Sequence, residues 1–339
     1  SYTIDIYRGE LEPVDHPLPF VVFVAFFPQL VAGPIVRARQ FLPQLVREPR
    51  LDAAASGRGF YLIALGLLKK AVIADLLAIN LVDRVFETPI QYTSAELLLG
   101  IYGYAIQIYC DFSAYSDIAI GSALLFGLAL PQNFDAPYRA SDLREFWHRW
   151  HISLSTWLRD YLYISLGGSR LGRLGTYRNL ALTMLLGGLW HGAAWTFVVW
   201  GAFHGGLLAL YRWLDPRPVH ADPWSGDRPR WIVGLMMATM TFWTVFGWLI
   251  FRADSPSQIL YFLTHLGGGL GATGGDAFYR LSAFTIPLVA MQIWQYRTRD
   301  LLAATHLPTV PRWVLYCALF AAILIFGVRE SSEFIYFQF

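Results

Sequence analysis

The sequence is poor in charged residues. Only 15% of its 339 residues are Asp, Glu, Lys or Arg, while 55% are hydrophobic; soluble domains carry roughly 25% charged residues. The net charge of +2 creates no strong field for nucleic acid, so no nucleic-acid partner is expected. This composition excludes an ordinary soluble domain and predicts a membrane protein surrounded by lipid.

The sequence also has few cysteines and lacks the common catalytic motifs. Cys110 and Cys317 lie far apart in apolar sequence, which favours two buried thiols over a disulfide or a metal site. The sequence has no nucleophile elbow. It also has no phosphate-binding loop, because the GGSR run at 167–170 is too short to form one. The sequence opens at Ser1 with neither an initiator Met nor a signal-peptide pattern, so we expect a piece of a longer chain.

Long apolar runs dominate the remainder. They are centred on residues 20–31, 60–82, 97–130, 180–210, 231–251, 284–294 and 313–328. A span needs roughly 20 residues, so about eight or nine segments fit, with runs 97–130 and 180–210 each long enough for more than one pass. Pro28, Pro34, Lys69, Lys70 and Pro287 interrupt the runs, which favours tilted or re-entrant pieces. The prediction is an all-α polytopic membrane domain over residues 1–339, with loops at 214–229 and 267–275.

Arginines are concentrated in two stretches. One group lies within residues 139–178 and the other comprises Arg37, Arg39, Arg47, Arg50 and Arg58. The positive-inside rule predicts that both face the cytoplasm. Apolar and charged residues alternate at helical spacing over 141–166, which predicts one or two amphipathic interfacial helices with an N-cap near Ser141.

Four histidines are candidates for chemistry. His191 lies among small residues in an apolar run, where an ionisable group is a functional candidate, although a histidine bonding across a helix pair is the alternative. For His204 a role in packing is favoured over a role in chemistry. His148 and His151 are three residues apart, so they are expected to share a helical face. They lack a third ligand, since Glu145 and Asp160 suit neighbouring arginines, and no metal site is expected. His151 is therefore interpreted as an acid, a base or a positioning residue.

Buried charge is expected elsewhere as well. Lys69 and Lys70 interrupt an apolar run, and snorkelling to the headgroup boundary is the favoured interpretation. Asp111 and Asp117 also lie in apolar sequence and need partners, either a histidine to orient or an arginine to pair with. The sequence does not choose between these.

Several short motifs occur together in one order along the chain. They are FPQLVAGPI at 27–35, GLLKK at 66–70, YCDFS at 109–113, PQNF at 131–134, FWHRWHISLS at 146–155, LWHG at 189–192 and FIYFQF at 334–339. In this order the chain resembles the membrane-bound O-acyltransferases, within the bacterial branch that contains the alginate O-acetylation and teichoic acid D-alanylation membrane proteins. The last motif points to the alginate-type subgroup.

The resemblance implies an enzyme of the bacterial inner membrane. It would pass an acetyl group from a cytoplasmic thioester, either acetyl-CoA or an acyl-carrier thioester, through a membrane-crossing funnel to hydroxyls of an extracytoplasmic polysaccharide. Periplasmic acetyltransferase proteins would be partners, and no permanently bound cofactor is expected. His191 corresponds to the invariant histidine of the family and His151 to its second, more variable position. Family members also carry further spans ahead of the point at which this sequence starts.

The chemistry of the residues is compatible with this activity. A thioester is already activated, so the protein needs a base, an oxyanion donor and exclusion of water. We hypothesise that neutral His191 accepts the hydroxyl proton, His151 orients the reacting groups, and Arg144 and Arg159 receive an anionic donor. Further supporting candidates are Trp190, Trp150, Ser153, Asp160 and Asn179.

Three alternatives remain. The same reaction type can serve D-alanyl transfer, or acetylation of peptidoglycan or cellulose. Broken spans with intramembrane His and Asp also occur in transporters, although this chain shows no internal repeat. Finally, the chain can be a membrane subunit that acts only within a complex.

Overall fold

The computed structural model describes residues 1–47, 52–215, 229–267, 275–328 and 334–335, and in these ranges it is helical without a β-strand. The predicted all-α class is confirmed for this part of the chain. The helices are α1 Tyr2–Tyr7, α2 Pro17–Ala25, α3 Ala38–Leu45, α4 Ala53–Leu68, α5 Asp75–Leu77, α6 Asp83–Glu87, α7 Ser94–Leu125, α8 Leu143–Arg149, α9 Ile152–Trp157, α10 Gly172–His191, α11 Trp195–Leu214, α12 Arg230–Arg252, α13 Pro256–His265, α14 Gly275–Thr298 and α15 Thr309–Phe326. Arg50, most of both predicted loops and residues 336–339 lie outside the described ranges.

The two longest apolar runs behave differently from each other. Run 97–130 is long enough for more than one pass, but α7 is one uninterrupted helix of 32 residues, so the possibility of two passes is not realised there. Run 180–210 does hold two helices, because α10 ends at His191 and α11 begins at Trp195. Among the described residues, α12 and α15 are the two helices long and apolar enough to meet a strict criterion for crossing a membrane, with mean hydropathy of 1.6 and 1.8.

The chain forms two compact units. The first comprises residues 1–76, 108–133 and 287–338, and the second comprises 77–107 and 134–286. The core of the first unit contains Phe23, Phe41 and Ala123, packed against partly buried residues such as Tyr115. A smaller cluster joins Tyr61 to Ala304. The assignment of residues 1–339 to a single membrane domain stays a prediction.

A buried ion network crosses the first unit. After α4 the helix widens into a π-helical segment, Lys69–Ala74, that carries both lysines inward. Lys69 Nζ lies 2.6 Å from an Asp117 carboxylate oxygen and donates to Ser113 Oγ at 2.8 Å. Lys70 Nζ lies 2.7 Å from Asp111 Oδ1 and 2.8 Å from Asp75 Oδ1.

This network corrects two expectations. Lys69 and Lys70 do not snorkel, because they are only 4% and 7% exposed; paired charges tolerate burial that an isolated ammonium does not. The partners of Asp111 and Asp117 are these lysines rather than a histidine or an arginine. The C-terminal segment joins the network, since the Ile335 backbone N–H donates to Asp111 Oδ2 at 2.9 Å.

The cysteine expectation holds for one thiol and fails for the other. Cys110 is fully buried within α7. Cys317 is exposed, because it lies on α15, the apolar span candidate with none of its hydropathy window buried. Apolar neighbours in sequence therefore predicted burial correctly for Cys110, but for Cys317 they belong to a helix that faces outward.

In the second unit, two short helices follow the PQNF motif. Asp142 caps α8 by accepting from the Glu145 backbone N–H at 2.9 Å, and the Glu145 carboxylate accepts from the Ser141 backbone N–H at 2.8 Å. Such a reciprocal arrangement satisfies donors that a helix start leaves open. The predicted N-cap region is thus confirmed, with Asp142 rather than Ser141 as the cap. The helix ends at Arg149, and α9 begins at Ile152.

Candidate active site

Glycines bring α10 and α11 close together. Gly188, Gly201 and Gly205 lie where the two helices meet, and a Cβ at Gly201 would stand 2.6 Å from the Met184 carbonyl oxygen. Small residues permit such close backbone approach between apolar helices. The contact fixes the last turn of α10, which carries His191, against the first turns of α11.

Aromatic rings surround His191. Its imidazole centroid lies 5.3 Å from the ring of Trp200 and 5.1 Å from that of Phe251, both edge-on. The neighbouring Trp190 ring is 5.1 Å away, but that side chain is 57% exposed. His204 is buried one helix turn beyond Trp200, with ring centroids 4.7 Å apart, so it belongs to the interior aromatic packing, as the structural interpretation expected.

His151 lies at the break between α8 and α9. Its backbone adopts the left-handed conformation, with φ 43° and ψ 54°, which costs a non-glycine residue about 1–2 kcal/mol. The expectation that His148 and His151 share a helical face was wrong, because Trp150 is extended between them. The imidazole is buried. Burial, with a smaller contribution from the nearby His191, holds the pKa of His151 well below 6.5.

A cavity of about 310 Å³ is lined by residues of α8, α9, α10 and α11. Its volume is at the lower end of those found for small-molecule sites. We call it the His191 cavity. One face of α10 lines it from Thr176 to His191, and α11 lines it from Trp200 to Arg212. His151 is not among its lining residues. The other lining residues are Arg144, Trp147, His148, Ile152, Leu154, Ser155, Thr156, Leu158, Arg159, Tyr163, Ser169, Leu180, Thr183, Met184, Gly187 and Leu208.

The two arginines expected to receive an anionic donor both line this cavity, but they differ in surroundings. Arg144 is 8% exposed; its guanidinium lies 2.9 Å from Asp142 Oδ2 and 3.5 Å from Asp215 Oδ2, and it donates to the Asp215 backbone carbonyl at 2.8 Å. Two carboxylates already compensate its charge. Arg159 has an exposed side chain that pairs with Asp160 at 2.7 Å, as expected from their adjacency.

The remaining supporting candidates are mostly internal. Asn179 is fully buried and donates to the Gly168 carbonyl at 2.9 Å, while its own side-chain oxygen accepts from Arg178. It therefore holds the 167–172 turn against α10. Trp150 and Ser153 are 2% and 5% exposed, with the Trp150 ring 4.6 Å from that of Trp248, and neither lines the cavity.

Sequence reasoning missed several lining residues, including Trp200, Thr183 and Arg212. A signal for some of them exists, since Thr176, Leu180, Thr183, Gly187 and His191 recur at helical spacing on one face. No comparable signal exists for Arg212, whose place at the end of an apolar helix suits a headgroup anchor equally well. No group of three or more His, Cys, Asp or Glu side chains is arranged to hold a metal ion anywhere in the described ranges.

A family match covers most of the chain. The sequence profile of the membrane-bound O-acyltransferase family, MBOAT, matches residues 12–250. Both the α10 and α11 pair and the break that carries His151 lie inside the match. The chain belongs to the membrane-bound O-acyltransferase family.

Three relatives show which members of the family the chain is similar to. A probable alginate O-acetylase of Azotobacter vinelandii is 46% identical over 256 residues, 75% of this chain and 49% of that protein. A peptidoglycan O-acetyltransferase of Helicobacter pylori is 44% identical over 201 residues, 59% of this chain and 38% of the relative. A teichoic acid D-alanyltransferase of Streptococcus thermophilus is 32% identical over 208 residues, which are 58% of this chain and 50% of that protein. The chain thus spans about half the length of the alginate-type relatives that it matches.

Proposed function

We propose that the whole protein is an O-acetyltransferase of the bacterial inner membrane, which moves an acetyl group from a cytoplasmic thioester toward hydroxyls of an extracytoplasmic polysaccharide. The observation that carries this proposal is the place of His191, at the end of a cavity that follows α10 and α11. Similarity to the alginate O-acetylases of several bacteria supports the acetyl group and the acceptor class.

In the proposed mechanism His191 is the general base. The acceptor hydroxyl gives its proton to an imidazole nitrogen while its oxygen attacks the thioester carbonyl carbon. The tetrahedral intermediate then breaks its C–S bond, and the leaving thiolate takes the proton back from the imidazolium. In this mechanism the aromatic rings packed around His191 limit the access of water, which protects the thioester from hydrolysis. A positioned base of this kind contributes about 10²–10⁴-fold to a rate.

His151 has a positioning role in this proposal. It is buried near His191 but does not line the cavity. Because its neutral form is favoured, one ring nitrogen accepts a hydrogen bond and the other donates one. The basic segment 139–178 faces the cytoplasm, where the donor enters, and periplasmic acetyltransferases receive or pass on the acetyl group.

The test uses the full-length natural protein in membranes, with radiolabelled acetyl-CoA, the native polysaccharide and the partner proteins. Label should reach polymer or partner with the wild type and with His265→Ala, whose histidine is exposed on α13, but not with His191→Ala inserted at the same level. Equal labelling by His191→Ala removes the proposed base. If thioester is never consumed, the transport alternative gains support. Peptidoglycan or cellulose as acceptor tests the alternative acetylations, and a D-alanyl thioester with teichoic acid tests D-alanyl transfer.

A further inference from the structure

A second cavity adjoins the His191 cavity and has a different character. It also measures about 310 Å³, and we call it the arginine cleft. Two guanidinium groups, Arg173 and Arg212, line it together with the hydroxyls of Ser169, Thr176 and Tyr177 and the indole of Trp213. The guanidinium groups, the Tyr177 hydroxyl and the Trp213 indole offer hydrogen-bond donors, whereas the Thr176 hydroxyl already donates to the Gly172 carbonyl at 2.8 Å. The cleft lining contains no carboxylate among the described residues.

The arginine cleft and the His191 cavity are neighbours. Ser169, Thr176 and Arg212 line both. Trp200, beside His191, and Arg212 lie twelve residues apart on α11, which is about 18 Å along the helix axis. A ligand reaching from one cavity into the other therefore needs a long, narrow body, and an extended pantetheine arm has that form.

Within the described part of the chain, the charges of the cleft have no carboxylate partner. Among the described residues no ion pair involves Arg173 or Arg212, whereas Arg144 lies between Asp142 and Asp215. Guanidinium groups match phosphate oxygens geometrically and bind them through charge-assisted hydrogen bonds. The described residues thus leave the positive charges of Arg173 and Arg212 without a counter-ion, at the end of the cavity away from His191.

We propose that the arginine cleft binds the phosphate ester that ends the pantetheine arm of the acyl donor. This inference rests on the proposed function, because it assumes that the thioester reaches His191 through the adjoining cavity. Arg173 and Arg212 hold the phosphate and the hydroxyl of Ser169 donates a further hydrogen bond, while Arg144 acts as a structural residue between two carboxylates. The phosphate is shared by coenzyme A and by acyl-carrier proteins.

The kinetic test compares two donors that differ only in this group, S-acetyl-4′-phosphopantetheine and S-acetylpantetheine, with the full-length protein in membranes. Losing one charge-assisted contact should raise the KM for the phosphorylated donor about tenfold or more in Arg212→Gln and in Arg173→Gln. The KM for S-acetylpantetheine and kcat should not change. Arg170→Gln is the matched control, since Arg170 is exposed on the same turn and lines neither cavity.

Equal KM changes for both donors, or none for either, would overturn the subsite. Acetyl-CoA and an acetylated acyl-carrier protein serve as further donors, and the one with the higher kcat/KM identifies the source of the phosphate. Calorimetric binding of 4′-phosphopantetheine and of pantetheine tests the subsite without turnover. If the wild type prefers the phosphorylated ligand and Arg212→Gln does not, the subsite stands even where no donor is consumed, and only the proposed function fails. Lack of any preference in the wild type overturns it.

Discussion

The contact between α10 and α11 should be sensitive to one added methyl group. In Gly201→Ala the new Cβ would lie 2.6 Å from the Met184 carbonyl oxygen and 2.9 Å from the Leu185 Cα. Both are backbone atoms, so the helices must separate by about 0.8 Å to restore an ordinary contact of 3.4 Å. A gap of 0.5–1 Å forfeits roughly a quarter to a half of each dispersion contact it opens.

Two effects should follow from this separation. Overpacking of this kind typically costs about 1–3 kcal/mol of stability. Trp200, next to Gly201, should also move relative to His191, and a displacement of about 1 Å near reacting groups can cost roughly 10²-fold in rate. Transfer by Gly201→Ala should therefore fall by one to two orders of magnitude.

Gly206→Ala is the matched control. It places the same methyl group on the same helix, where nothing lies within 4 Å of the added atom. Comparing the two variants cancels the gain in helix propensity of about 1 kcal/mol that alanine brings. Stability is measured as resistance of the purified protein to unfolding by SDS, and activity as acetyl transfer in membranes. Equal stability of the two variants would refute the close-contact reasoning.

Three further outcomes are expected. Lys69→Met should destabilise the protein by about 3–5 kcal/mol because Asp117 loses its cation, and the double variant Lys69→Met/Asp117→Leu should recover most of that loss. Unfolding in SDS measures both variants, and equal instability of the two would contradict this pairing. Asn179→Ala should cost about 1–3 kcal/mol, because the Gly168 carbonyl loses its donor, and proteolysis of the adjacent turn should accelerate; an unchanged cleavage rate would argue against that role. Since burial holds the pKa of His151 below 6.5, the unfolded chain alone takes up this proton below pH 6.5, so stability should fall by up to about 1.4 kcal/mol per pH unit toward pH 5. His151→Gln should flatten that slope, and parallel SDS-unfolding profiles would exclude the effect.

Local sequence signals predicted the parts of the site that depend on one segment. The length of run 180–210 allowed the two helices α10 and α11, although it did not place the break at Gly192. The polar residues before α8 predicted its cap region. His191 itself was recognised because an imidazole in apolar sequence demands an explanation. These features need no information about distant parts of the chain.

Features that depend on pairing between segments were not predictable. Lys69 looks like a snorkelling residue until Asp117 is placed beside it, and Arg144 looks available until Asp215 is brought to it from the end of α11. The π-helical segment at Lys69–Ala74 has no residue signature, since it differs from an α-helix only in its hydrogen-bond spacing. Arg212 was missed for the same reason as Lys69, because tertiary contacts decide what a terminal cation faces.

The ion network of the first unit has a consequence for biogenesis. Lys70 precedes its partner Asp111 by 41 residues, and Asp111 precedes Ile335 by 224. A chain synthesised from its N-terminus therefore presents Lys69 to the insertion machinery before Asp117 exists, while Lys70 at first has only Asp75 of its two carboxylates. A translation product interrupted before Asp117 should therefore expose the unpaired charge of Lys69 and be an early substrate for membrane proteases. The unit itself is completed only when residues 287–335 have been made.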